Sequence, residues 1–261
     1  RATVAYAPFA DLRKLGRELY AWMWLGRYPF VEAMLVWSHL VFGADIIAGF
    51  PTETEEDHQA TIALLHRYGW NMSGNHNMGS AALRTNLMAI DNFHESGVKP
   101  YFESQKIDAF DHNLVWHPSN YPLLDKYKGK VAMALSPEIF DQRISVTGRP
   151  LLEAQYGEKM HTMQPVKDLL ERGYNLHIEG TGPANHPMWM IERFVTRTDH
   201  NGKVWGADQA IDRETGLKML TINPARFIGE EDELGSLEPG KWADLVVLNG
   251  DYLGVADDEI D

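Results

Sequence analysis

The amino-acid sequence predicts an α/β fold built on a parallel sheet with helical crossovers. Three observations carry that expectation. Short apolar runs that read as strands alternate with amphipathic segments between residues 44 and 179. Capping and turn residues stand where the alternation needs them. The 261 residues are 44% hydrophobic and 11% aromatic, enough to bury a large core in one big domain or two small ones.

Taken in order, residues 1–42 are rich in Trp, Tyr and Leu and read at most as helical, because their periodicity is poor. From Ala44, ADIIAGFP reads as a strand running into a loop. TETEEDHQATIALLHRYG reads as a helix, with Thr52 as N-cap, Glu55 completing a capping box and Gly69 as the stop. A strand is expected from Trp70 to His76, and then a helix from Ala81 to Phe93 with Leu83, Leu87 and Ile90 on one face. Residues 98–116 contain extended segments, and Val131 to Leu135 is a short apolar strand. A helix over residues 164–172 and a strand over residues 174–179 complete the alternation. Asp212 then caps a helix over residues 213–221, and Asn223-Pro224 begins another with proline at its first position. Finally, Ala243 to Leu248 lies between turn residues and reads as a buried strand whose partners come from elsewhere in the fold.

Charge and composition exclude several functions. The net charge of -13, with no basic run, argues against a nucleic-acid or anionic-membrane surface. The absence of cysteine removes disulfides, thiolate nucleophiles and Cys-ligated metal centres. The longest apolar patch, near residues 21–49, is broken by Arg27, Glu32, His39 and Asp45, so no membrane span is expected. Compartment and oligomeric state stay open, a homo-oligomer included.

Three stretches hold candidate chemistry. In NLHIEG, a period of two sends Leu176 and Ile178 one way and Asn175, His177 and Glu179 the other. That polar side fits the mouth of a parallel barrel or, equally, a solvated edge strand. In MSGNHNMGSAA, His76 ends a strand just before a turn, where an imidazole on a rigid support suits a metal. Taken singly it reads as a structural histidine. In DAFDHNLVWHP, His112 and His117 are five apart, so on a strand at most one faces a site; His112 is the candidate and His117 reads as a loop residue. Most of the remaining histidines, such as His58, His66, His161 and His186, read as solvated.

The C-terminal third, with AIDRETGLKMLTINPARFIG followed by LGSLEPGKWADLVVLNGDY, resembles the metal-dependent amidohydrolase superfamily, in its imidazolonepropionase- and deformylase-like branch. The resemblance is dense over residues 207–252. It implies a (β/α)8 TIM-type barrel, here incomplete and limited to the later strands over residues 1–222. Residues 223–261 would supply a helix and a segment of a small β-sandwich. It also implies hydrolysis of an amide-type, non-peptide C–N bond in a small molecule by a water bound to zinc or another divalent metal, with one or two ions. Position by position, His76 and His112 resemble the metal-binding histidines of the fifth and sixth barrel strands. Where the eighth strand carries an aspartate in the family, the nearest carboxylate is Glu179, implied as metal ligand and as general base and then acid, with His177 implied at the tetrahedral intermediate.

The sequence departs from the family in lacking the His-x-His pair of the first strand and an identifiable Lys or Glu on the fourth. The rival expectation is therefore a non-catalytic fragment or interaction module. A second resemblance, of GADIIAGFPTETEED to a strand-loop of radical-SAM methylthiotransferases, implies a cluster held by three cysteines, and the chain has none.

Overall fold

The computed structural model describes residues 4–6, 43–46, 54–69, 71–77, 79–100, 108–113, 116–137, 156–180, 186–199 and 201–260. The expectation for residues 1–42 lies outside them except at β1 (Val4–Tyr6), which is a strand and not a helix. β1 pairs antiparallel with β2 (Gly43–Ile46), and β2 pairs parallel with β3 (Asn71–Asn75). β4 (Asp108–Phe110), β5 (Val131–Leu135) and β6 (Asn175–Ile178) form a second, wholly parallel sheet in that order. A parallel bridge between His76 and Asp111 joins the two sheets. It is closed by Asp111 N–H donating to Asn75 O at 2.8 Å and Asn77 N–H donating to Asp111 O at 3.1 Å. Strands β2 to β6 thus run parallel in one row, as the alternation predicts.

Helices connect and cover this row. α1 (Glu55–Arg67) starts at Thr54, whose hydroxyl accepts from Asp57 N–H while the Asp57 carboxylate accepts from the Thr54 backbone. The capping box therefore sits two residues beyond the expected Thr52, which lies outside the described residues. Both Thr-x-x-acid pairs are present in TETEED, and the later one closes reciprocally. Gly69 (φ 70) ends the helix as expected. α2 (Ser80–Glu95) buries Leu83, Leu87 and Ile90 on one face. α3 (Tyr121–Lys126) precedes β5, whose five residues are all buried, as a strand covered on both faces requires. α4 (Val166–Glu171) leads into β6.

α5 (Pro187–Thr196), which the sequence reading missed, carries Pro187 in its first turn and is capped by the His186 ring. α6 (Arg213–Leu220) is capped by Asp212 as expected, its side chain accepting from Thr215 N–H at 2.7 Å. α7 (Ile222–Ile228) begins two residues before Pro224, so the proline falls at the third position rather than the first. One core runs from Ile62, Leu65 and Met72 through Phe110, Met133 and Leu176 to Ile191, Phe194 and Met219.

The expected buried strand at 243–248 is corrected. The segment pairs with no strand among the described residues, and Val246 and Val247 are 82% and 86% exposed. Without a partner ladder among the described residues its apolar side chains stay exposed. Of the histidines expected to be mostly solvated, two are buried: His58 against Asn86, and His66 paired with Asp108 at 3.0 Å.

Candidate metal centre

The site is built at the C-terminal ends of three parallel strands. His76 follows β3 and is exposed, while its neighbours Asn75 and Asn77 are fully buried on the opposite side. There Asn86 of α2 donates through Nδ2 to both Asn75 Oδ1 and Asn77 Oδ1 at 2.8 Å, and Asn86 Oδ1 lies 2.5 Å from His58 Nε2 of α1. Asn77 Nδ2 closes the cluster on Asn75 O at 2.8 Å. This amide cluster pins the backbone on both sides of His76, so the strand end that carries the imidazole is held by buried polar groups that have partners.

His112 stands just beyond β4 in a left-handed turn: His112 and Asn113 have φ of 65° and 44°. Two successive non-glycine residues in this region need support from their surroundings. Glu179 Oε1 accepts from His112 N–H at 2.9 Å, and Gln164 Nε2 donates to His112 O at 2.9 Å. Asn113 Nδ2 donates to Phe110 O at 2.9 Å. Glu179 itself extends the β5–β6 pairing, its N–H donating to Leu135 O at 2.9 Å.

These supports bring three of the four expected residues together. His76 Nδ1 meets His112 Nε2 directly, with ring centroids 4.5 Å apart and planes tilted by 35°. The other nitrogen of His112, Nδ1, pairs with Glu179 Oε1. His112 and Glu179 side chains are 14% and 18% exposed, so the group opens to the surface.

The donor chemistry suits a borderline divalent metal, since imidazole nitrogens turned toward one point are what zinc takes. The arrangement departs from a closed three-ligand set. Among the described residues no three His, Asp or Glu side chains are spaced to hold an ion. Glu179 lies at the nitrogen of His112 remote from His76, where a carboxylate fixes the proton on Nδ1 and leaves the Nε2 lone pair for a ligand.

His177, the fourth expected residue, does not join them. Its ring stacks on Phe227 of α7, centroids 4.9 Å apart and planes within 14°, and its Nδ1 is buried with no hydrogen-bond partner among the described residues. Burial pushes the imidazole down to about 4, against the opposing pull of the Glu179 charge. Asn175 faces the same way, its Nδ2 donating to Asn223 O at 3.1 Å. His177 and Asn175 therefore face α7 and not the open mouth expected for them, because α7 offers an aromatic face and a backbone acceptor there. Asn86 and Gln164, which hold the site, were not singled out in the sequence. His117 is a loop residue as expected, its Nδ1 accepting from Ser119 N–H at 3.2 Å.

Comparison with known proteins gives the arrangement a context. The model described as "Amidohydrolase family" matches residues 26–261. A segment of 86 residues, 33% of this chain, is 37% identical to 20% of the 5-methylthioadenosine/S-adenosylhomocysteine deaminase of Teredinibacter turnerae. One of 98 residues, 37% of this chain, is 33% identical to 18% of the N-substituted formamide deformylase of Arthrobacter pascens. Among solved structures, an uncharacterized metal-dependent hydrolase from Pyrococcus horikoshii OT3 matches 80% of this chain and 40% of its own, with TM-score 0.62 and 21% identity, a likeness of fold. The matched segments span about a fifth of the curated relatives' length.

Proposed function

This chain belongs to the amidohydrolase family, and from that premise we propose that it carries part of a metal-dependent hydrolase acting on an amide-type C–N bond of a small molecule. The observation that supports this reading is the convergence of His76, His112 and Glu179 from the ends of β3, β4 and β6. In a sheet of parallel strands the C-terminal ends are where reacting groups gather. The names of the deaminase and deformylase relatives, both of which cleave C–N bonds, support the reaction class. In the same reading β2 to β6 are later strands of a (β/α)8 barrel, and residues 223–261 supply helix α7 and a segment that would become a sandwich strand only against partners outside the described residues.

His76 Nδ1 and His112 Nε2 would hold the ion, zinc being the best match to two imidazoles. Such an ion supplies a bound water with a pKa near neutrality. Glu179 fixes the His112 tautomer through Oε1. As the carboxylate nearest the two histidines, it would also take the proton of the attacking water and return it to the leaving nitrogen. His177, turned to Phe227, has no part in this chemistry.

The test is amine or ammonia release from a panel of N-formyl and N-acyl amides by zinc-loaded protein. Glu179→Gln keeps an oxygen acceptor for His112 but not the base, so it should retain zinc while lowering turnover about 10²-fold or more. Turnover of Glu179→Gln equal to that of the parent would sink the assignment of the carboxylate.

A further inference from the structure

We propose that Gln164 is a positioning residue for His112, holding the carbonyl side of its left-handed turn while Glu179 holds the amide side. The proposal rests on the reading of His112 as a metal ligand. Gln164 lies between a 3₁₀ turn (Gly157–Thr162) and α4, far from His112 in sequence. It is fully buried, and its own φ is 49°, a conformation that glutamine seldom adopts. Its Nε2 reaches His112 O at 2.9 Å, while its Oε1 is buried with no hydrogen-bond partner among the described residues. A leucine or methionine would fill the same space without burying an unpaired carbonyl. What glutamine adds at this position is the donor to His112.

The backbone of Gln164 is anchored in turn. Arg197 is itself fully buried. Its guanidinium donates to Met163 O at 2.8 Å, to Gln164 O at 3.4 Å and to Trp205 O at 2.9 Å. The charge that fixes these carbonyls comes from the C-cap of α5. A chain of contacts therefore runs from Arg197 through Gln164 to the peptide of His112. Two successive left-handed residues hold their conformation only while their peptide groups are gripped. Loss of the Gln164 donor releases one side of the grip and lets the His112 ring swing off its line to His76.

The experiment compares the parent chain, Gln164→Met and His112→Ala. Zinc affinity is measured by chelator competition, and the ring ¹⁵N resonances of His112 are recorded in metal-free protein. Gln164→Met should bind as many zinc ions as the parent but about 10- to 100-fold more weakly, the usual effect of losing an outer partner of a ligand. Its His112 ring resonances should also be displaced without metal. Unchanged zinc affinity together with unchanged ring resonances would overturn the proposal. In case Gln164→Met does not fold, the parent supplies a second measurement: its Gln164 side-chain amide signals should shift on zinc addition, and signals that stay put overturn the proposal equally. If His112→Ala binds zinc as tightly as the parent, the metal reading alone falls, because the metal-free ring resonances then decide the role of Gln164.

Discussion

His76 and His112 are positioned less by their own contacts than by the residues on either side of them. Asn75 and Asn77 grip α2 behind His76, and Glu179 and Gln164 grip the peptide of His112. Asn86 is the hub of the first grip. Asn86→Leu should lower stability by about 3 kcal/mol in urea titrations, because it leaves two buried amide oxygens without a donor. It should also weaken metal binding, whereas a loss below about 0.5 kcal/mol would mean the cluster is not formed. His177 gives a pH signature. Its folded pKa of about 4 lies below the ordinary value of 6.5, so above pH 6.5 the ring is neutral in both states. As the pH falls below 6.5 the unfolded chain gains a proton that the folded chain refuses until about pH 4. This ring should therefore cost about 2 kcal/mol of stability between pH 7 and pH 5. His177→Phe, which keeps the stack on Phe227, should reduce the parent's loss over that window by that amount; identical pH profiles would refute the burial. The strand-end histidines and Glu179 were legible in the sequence because each lies at or near the end of a segment that reads as extended. The turn of His177 toward α7 was not, since period two fixes which residues share a side but not which side faces the helices. Nor were Gln164 and Asn86, whose roles come from partners distant in the chain.

At the level of elements, the alternation of strands and helices was legible wherever the apolar period was clean, as in α2 and β5. It missed α5. That helix buries Glu192 and Arg193, paired at 2.6 Å, along with Trp189, Met190, Ile191, Phe194 and Val195, so its charged residues do not mark a solvent face. Its neighbour α6 approaches it closely at Gly216, where an added Cβ would lie 2.6 Å from Ile191 Cγ2, inside a core with no room. Gly216→Ala, which favours an isolated helix by about 1 kcal/mol, should here lower stability by about 1–2 kcal/mol. A raised thermal midpoint would contradict the packing of α6 on α5. The strand expected at 243–248 follows the right local pattern but has no ladder among the described residues, because local pattern does not supply partners. With Val247 86% exposed, Val247→Thr should change stability by less than about 0.5 kcal/mol. A loss of 2 kcal/mol would show the segment buried after all.

For the molecule as a whole, the row of parallel strands brings residues 76, 112 and 179 to one edge, although they are far apart in sequence. The fold class was legible because parallel pairing and helical crossovers go together. The convergence of these three residues was legible only through family resemblance, since spacing alone does not say which strand ends meet. An ion bound there stabilises the folded chain in proportion to its occupancy, by about 2.7 kcal/mol at a hundred times its dissociation constant. The most direct measurement is metal content per chain, by elemental analysis of protein purified without chelator, for the parent and the His76→Ala/His112→Ala double variant. The account predicts at least one zinc or similar divalent ion per parent chain and none retained by the double variant. A parent without metal, or a double variant that keeps as much as the parent, would contradict it.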